Sequence, residues 1–181
     1  DNSYPASGTP LSLNIQTVAT LDLRFVPVLR TADNTTGNVT LSTAGNVTQT
    51  GAIVGGGSLN LNGAGGVYNL CTQNNDIVTL NATTKTVAFR DIDTYALGTL
   101  TLTGALELAG DFGASGNITA ASFLFDAPTR NVTFSNSGNI GTLAANVAGL
   151  NYSQANSLTI DQVSNTLCNP STVNGIASSG N

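Results

Sequence analysis

Apolar and polar positions alternate along this chain in short bursts. Val39 and Leu41, Leu59 and Leu61, Leu100 and Leu102, Leu106 and Leu108, Phe123 and Phe125, Val132 and Phe134, and Leu158 and Ile160 are all apolar pairs two residues apart. The residue between them is usually Thr, Asn or Ser. A period of two puts alternate side chains on opposite faces of a strand, one buried and one wet. Between the bursts lie Thr-Gly, Ala-Gly-Asn, Asn-Gly-Ala-Gly-Gly and Ser-Gly-Asn, whose glycines and asparagines favour turns. No segment carries a capped stripe of period 3.6, so the pattern predicts strands of three to five residues and minimal helix.

The bursts also recur at long range. Ser58–Ala64 aligns with Ser122–Pro128 at an offset of 64, and Tyr68 and Leu70 fall on Val132 and Phe134. After one skipped residue near Asp76, Ile77–Ala82 meets Ile140–Ala145 at offset 63, and Asp93–Leu97 meets Asn156–Ile160. Upstream, Gly45-Asn-Val-Thr48 matches Gly116-Asn-Ile-Thr119 once the glycine-rich Gly51–Gly57 is treated as an insertion. Periods of this kind point to a solenoid. Strands this short suit a coil in which each strand bonds to its equivalent one turn later, and a 64-residue unit divides into three coils of about 21 residues. The expected fold is all-β, a right-handed parallel β-helix of roughly eight coils, a rod on the order of 40 Å long. A β-sandwich is the alternative. Residues 37–181 form the helix with about two repeat units. Residues 1–36 do not join the repeat and are read as an N-terminal cap or strand segment, with Leu21–Phe25 alternating like a strand and Pro27 marking an edge or a break just beyond it.

Composition narrows the function. Only 8% of the 181 residues are charged, against about a quarter in an average domain, and there is no His, Met or Trp. Five basic residues and a net charge of −5 give no footprint for nucleic acid. Without histidine there is no acid/base group of ordinary neutral pKa and no histidine metal ligand. No apolar run approaches the roughly 18 residues of a membrane span. Stacked coils give the charge deficit a cause: identical positions lie about 4.8 Å apart, where like charges repel and Asn or Thr can form ladders.

The phrase Gly37-Asn-Val-Thr-Leu-Ser-Thr-Ala-Gly-Asn-Val-Thr-Gln-Thr-Gly51, together with Asn131–Ala145 and Asn156–Ile160, resembles the repeats of filamentous-haemagglutinin-like exoproteins. The likeness spans about residues 37–181. It implies a parallel β-helical shaft from a large bacterial adhesin exported by two-partner secretion. That family's export domain carries Asn-Pro-Asn-Leu and Asn-Pro-Asn-Gly-Ile signatures. Here only the broken echo Asn169-Pro-Ser-Thr-Val-Asn-Gly-Ile176 occurs, which places the segment in the shaft.

Each candidate for chemistry has a structural counterpart. Asp91-Ile-Asp93 puts two carboxylates on one strand face, as a glycosidase acid and base would require. The self-alignment sets Gln154 and Asn156 at those positions, however, so a polar turn ladder explains both copies. Gly55–Gly57 and Gly63–Gly66 lack the Lys-Ser/Thr of a phosphate-binding loop and read as turns. Seven Asn-x-Ser/Thr triplets, starting at Asn34, Asn38, Asn46, Asn81, Asn117, Asn131 and Asn151, are potential glycosylation acceptors. In a solenoid the same triplet arises where Asn ends a turn, the next residue points in and Thr points out. Thr99, Thr101 and Thr103 could begin a flat ice- or polysaccharide-binding array, but Asn60 and Asn62 interrupt the matching strand. Cys71 and Cys168 are more than four coils apart, roughly 20 Å by rise alone, which argues against a disulfide unless the insertion Ser164–Thr172 folds back along the rod. An oxidising surface environment argues the other way, and an intermolecular contact is a third option.

No catalytic, cofactor-binding or metal-ligating residue is assigned, and no cofactor is expected. The expected function is a non-enzymatic structural or adhesive shaft segment of a secreted or cell-surface bacterial exoprotein. Its partners would be host or neighbouring-cell glycans or proteins and, for a full-length parent, an outer-membrane export partner. The chain starts at Asp1 and stops at Gly180-Asn181, in the middle of a repeat phrase, so it is expected to be a piece of something longer or a fibre subunit stacked end to end or by strand donation. A β-helical polysaccharide-active enzyme and an ice-binding module are the remaining alternatives.

Overall fold

A computed structural model describes residues 13–17, 21–23, 28–30, 37–164, 167–168 and 172–178. Among them there is no helix. The strands are β1 (Leu13–Gln16), β2 (Leu21–Leu23), β3 (Val28–Arg30), β4 (Val39–Ser42), β5 (Asn46–Gln49), β6 (Ala52–Asp91) and β7 (Ala96–Leu102). They continue as β8 (Ala105–Ala109), β9 (Ser115–Asn136), β10 (Asn139–Gln154), β11 (Thr159–Ile160), β12 (Gln162–Ser164), β13 (Thr172–Asn174) and β14 (Ile176–Ser178). The longest of these run around the corners of the coil. All pairings are parallel except that of β12 with β13. The result is a β-solenoid of about six turns.

Register defines three faces. On the first, Leu13 pairs with Val39 and Val39 with Leu59; further along, Leu100 pairs with Ile118. On the second, Leu21 pairs with Val47, and Val87, Leu106, Phe123 and Leu143 stack in consecutive coils. On the third, Val28 pairs with Ala52, Tyr95 bridges Phe112, and Val132 and Phe134 pair with Leu150 and Tyr152.

The inward residues form one continuous core, as the alternation requires. Val39, Leu41, Leu59, Leu61, Leu100, Leu102, Leu106, Leu108, Phe123 and Phe125 are all buried within it. Toward the C-terminal half the core becomes aromatic: the Phe125 ring lies 5.2 Å from Phe112, 5.6 Å from Phe134 and 6.2 Å from Tyr152. Leu158 is only partly buried and Ile160 remains 47% exposed, so the last apolar pair of the sequence has no coil above it among the described residues.

Coil length varies, and this corrects the even 21-residue division. The first described coil takes 26 residues, from Leu13 to Val39. Later ones take 18, from Leu100 to Ile118, or 17, from Leu106 to Phe123. A long first coil and a C-terminal excursion reduce eight expected turns to about six. The short coils also rotate the repeat: Leu59 stacks on Val39 on the first face, whereas its sequence equivalent Phe123 stacks on Leu106 on the second.

Candidate functional site

The polar side chains with the most internal contacts are those that hold the corners of the coil. Asn136 accepts from the backbone N–H of Ile118 and of Gly138 through Oδ1, 3.0 Å each, and donates from Nδ2 to the Ile118 carbonyl at 3.0 Å. Gln154 accepts from Ile140 N–H at 3.1 Å and donates to the Ile140 carbonyl at 3.0 Å. Asn75 accepts from Ile53 N–H and from Gln49 Nε2, both at 2.9 Å, and donates to the Leu70 and Arg90 carbonyls. Each amide therefore supplies the donor and acceptor that a neighbouring strand would supply. Buried backbone groups are costly to leave unpaired, so these side chains close the ladder where the chain turns.

Asp91 occupies the same kind of position without an amide. It is buried, and its oxygens accept from Ile77 N–H and Asp93 N–H, 3.2 Å each. Asp91 holds Ile77 across the same 14-residue reach by which Gln154 holds Ile140, as the sequence alignment of the two suggests. Burial pushes its carboxyl up to about 7; the two amide donors oppose that rise and the neighbouring Asp93 adds to it. Asp93 itself is exposed. The pair is thus one buried turn clamp and one solvated carboxylate.

Tyr68 and Tyr95 are both buried. The Tyr68 hydroxyl lies 2.5 Å from the Asn62 carbonyl and 3.0 Å from the Leu41 carbonyl, either of which accepts its proton, and it accepts from Thr43 N–H at 3.3 Å. That of Tyr95 is the one buried side-chain polar atom without a hydrogen-bond partner among the described residues, and burial holds its pKa well above the ordinary value.

The other sequence candidates have definite places. Gly63 adopts φ +123°, and a Cβ there would overlap the Thr43 carbonyl, so a glycine is needed where the chain passes close against the preceding coil, although Gly63–Gly66 lies within β6 rather than in a separate turn. Gly55–Gly57 lies within β6. In the triplets at Asn38, Asn46, Asn81 and Asn117 the middle residue is buried (Val39, Val47, Ala82 and Ile118), and at Asn131 and Asn151 it is half-buried; the triplet at Asn34 lies outside the described residues. Thr83, Thr101 and Thr119 are exposed and in register on the first face, with Asn139 next in the column. Threonine thus stays in register for three coils, longer than the interruption at Asn60 and Asn62 suggests. Beside them Asn81 Nδ2 donates to Asn60 Oδ1 at 3.2 Å and Asn60 pairs with Thr40. The strand segments 39–42, 59–62, 80–84, 96–102, 117–120 and 139–142 contain no charged residue.

A shallow cleft of about 230 Å³ lies against the third face, lined by Asp111, Phe112, Arg130, Asn131 and Thr133 among others. Arg130 Nη1 sits 2.6 Å from Asp111 Oδ2, which also accepts from Thr94 Oγ1 at 2.7 Å. These charged groups satisfy one another. Among the described residues no cluster of His, Cys, Asp or Glu could hold a metal, and no helix is long and apolar enough to cross a membrane.

Two cysteines overturn the expectation drawn from coil rise. Cys71 and Cys168 form a disulfide, with Cα atoms 5.2 Å apart across 97 residues of sequence. The insertion does fold back. The chain leaves the coil after Ile160, which pairs with Leu143, and re-enters at Ile176, which pairs with Ala145. Between these two pairings the coil itself is one residue long at Ala144, and the described residues 162–164, 167–168 and 172–174 lie on the outside of the second face. Val163 and Val173 pack on the outward-pointing Leu124 and Ala144, Cys168 N–H donates to Glu107 Oε2 at 3.4 Å, and Asn69 Nδ2 donates to the Leu167 carbonyl at 3.3 Å. The sequence held a signal for this cover: Val87-Ala-Phe89, Phe123-Leu-Phe125 and Leu143-Ala-Ala145 break the apolar/polar alternation at positions of one register stack, in which Leu106-Glu-Leu108 lies between the first two.

The family described as repeats of unknown function (DUF5649) matches residues 11–84 and 84–148. The chain belongs to this repeat family. Its two matched copies run from the start of the first described strand to the end of the second-face segment of β10, and leave residues 149–181 outside. No curated protein and no solved structure matches the chain.

Proposed function

We infer that this chain is a non-catalytic shaft segment of a secreted or cell-surface bacterial exoprotein of the filamentous-haemagglutinin-like kind, with an adhesive role. The observation that carries the reading is the unbroken parallel stack over one apolar core, with an uncharged, exposed Thr/Asn first face. Such a stack resists bending because every coil is hydrogen-bonded to the next along its length. A neutral face of short hydroxyl and amide side chains can meet glycan hydroxyls without desolvating ions. The Cys71–Cys168 bridge supports an oxidising compartment. The polar residues with the deepest burial are occupied by backbone clamping, which favours a structural over a catalytic reading of Asp91.

The test has two parts. Small-angle scattering of the purified chain should give an elongated profile, and a compact one would refute the shaft. Beads coated with the chain should adhere to glycan-bearing cell surfaces and lose adhesion in the triple variant Thr83→Lys, Thr101→Lys, Thr119→Lys. Adhesion unchanged in that variant would remove the first face from the proposal.

A second reading, assembly of coils end to end, is favoured by one observation. The last described coil exposes Ile160 and Ile176 at 47% and 44%, and a further coil from this chain or a second copy would cover them. Light scattering across a concentration series checks it: growth that Ile160→Asp and Ile176→Asp abolish supports stacking, and a monomer at every concentration refutes it.

A further inference from the structure

We propose that the cleft on the third face, between the coil carrying residues 110–114 and the coil carrying residues 130–133, is a binding site for one neutral sugar ring. The cleft exists because the two coils differ in length between the bonds that close it. At one end Gly110 N–H donates to the Asp126 carbonyl at 3.4 Å, and at the other Ser135 N–H donates to the Ala114 carbonyl at 3.0 Å. The first coil covers that interval in four residue steps and the next coil in nine. The surplus cannot stay in a ladder that pairs one residue with one. Among the described residues no backbone pairing joins 111–113 to 127–134. On the far side Asn131, Val132 and Thr133 pair with Gly149, Leu150 and Asn151, so that lip of the cleft is fixed before any ligand arrives.

The opening reaches the edge of the core. Phe112 and Val132 pack on the core cluster, yet both are only half-buried, and they give the cleft an apolar floor. Its rim is polar. Arg130 Nη1 and Thr94 Oγ1 share Asp111 Oδ2 at 2.6 and 2.7 Å. That leaves Asp111 Oδ1 and the other guanidinium N–H groups without a hydrogen bond to any described residue. The exposed side chains of Asn131 and Thr133 make none either. Asp111, Arg130, Asn131 and Thr133 all line the cleft.

Size, floor and rim together define the ligand. A volume of about 230 Å³ falls below the roughly 300 Å³ at which pockets for drug-sized molecules begin, which suits one ring and not a strand of several residues. Asp111 and Arg130 stand side by side, so an ion of either sign meets a like charge together with an opposite one. A pyranose carries no charge, each of its hydroxyls both donates and accepts, and its C–H face is apolar. Neighbouring hydroxyls can donate to Asp111 Oδ1 and accept from Arg130, bonds strengthened by the ionised partner, while the C–H face covers Phe112 and Val132. The site is separate from the first face and stands whether or not that face adheres.

The experiment titrates isotope-labelled protein with the methyl glycosides of glucose, galactose, mannose and N-acetylglucosamine and follows the backbone amides by NMR. At least one glycoside should give saturable shifts centred on residues 110–114 and 130–133, with a dissociation constant on the order of 1 mM for so small a contact. Arg130→Ala should weaken that binding by about tenfold, since a charge-assisted bond is lost, and Thr133→Val should weaken it less. The first-face variant Thr83→Lys, Thr101→Lys, Thr119→Lys should bind as the parent does. The glycoside that binds is then compared with its linear trimer: tighter binding of the trimer assigns the cleft to a glycan chain, equal binding to a single ring, and both support a saccharide site. No saturable shift from any of the four glycosides, shifts centred on the first face, or undiminished binding by Arg130→Ala overturns the proposal. Tighter binding of glucuronate or glucosamine than of the neutral glycosides overturns it as well. The shift map of the unaltered protein decides the matter if a variant fails to fold.

Discussion

Replacing Asp91 by Asn should make the protein more stable at alkaline pH and nearly abolish one component of its pH dependence. Asp91 sits in a clamp that elsewhere uses amides, and burial raises its carboxyl from 3.8 to about 7. A carboxyl whose folded pKa exceeds its unfolded pKa favours the folded state when protonated. That contribution is fully present below about pH 4 and is lost as pH rises through 7. A shift of about 3 units corresponds to about 4 kcal/mol at most, which screening by nearby solvent reduces to about 2 kcal/mol. Asparagine removes the charge and can adopt the geometry of Asn136, where one oxygen serves both the cross-coil amide and the amide two residues on, and the nitrogen serves the facing carbonyl. Urea unfolding followed by circular dichroism at about pH 4.5 and about pH 8 gives the test. The variant should gain about 2 kcal/mol at the higher pH and little at the lower. A variant less stable than the parent at pH 8, or one with the parent's pH dependence, would refute the clamp argument.

The same packing sets three further outcomes. Tyr68→Phe should cost about 1 to 2 kcal/mol because its hydroxyl bonds the Asn62 or Leu41 carbonyl and Thr43 N–H, whereas Tyr95→Phe should be neutral or stabilising because its buried hydroxyl has no partner among the described residues; equal effects in chemical unfolding would contradict the difference. Phe125→Ala, at the centre of the aromatic stack, should cost about 3 to 5 kcal/mol by leaving a cavity between coils, read as a lowered urea midpoint. Gly63→Ala should lower the thermal midpoint by several degrees, since the side chain meets both a left-handed backbone and the Thr43 carbonyl; an unchanged midpoint would mean that the turn relaxes freely.

The strand positions and their inward sets were legible in the chain itself. Val39/Leu41, Leu59/Leu61 and Phe123/Phe125 point inward because a period of two leaves them no other arrangement, and the glycine- and asparagine-rich joints mark the turns. The alignment of Asp91 with Gln154 also anticipated a shared polar role at a turn, whereas the clamp on the backbone of Ile77 and Ile140 shows only in the structure. The three apolar runs at 87–89, 123–125 and 143–145 carried the sign of an outer cover, but alternation alone does not say what lies outside.

What the sequence determined by itself is therefore the local geometry: short strands, one wet side, a repeating coil, and few charges where ladders stack. Tertiary structure decided the register and everything that depends on it. Coils of 17, 18 and 26 residues all close around the same core, because loop length is set at the corners while side-chain alternation constrains only the faces. A sequence offset of 64 therefore does not return to the same face. Likewise, Cys71 and Cys168 are 97 residues apart in the chain, and the coil that Cys168 departs from lies several turns beyond that of Cys71; only an excursion that leaves the coil at Ile160 and returns at Ile176 brings them together. Rise per coil bounds the separation of residues that stay in the stack, and it places no bound on a segment that leaves it.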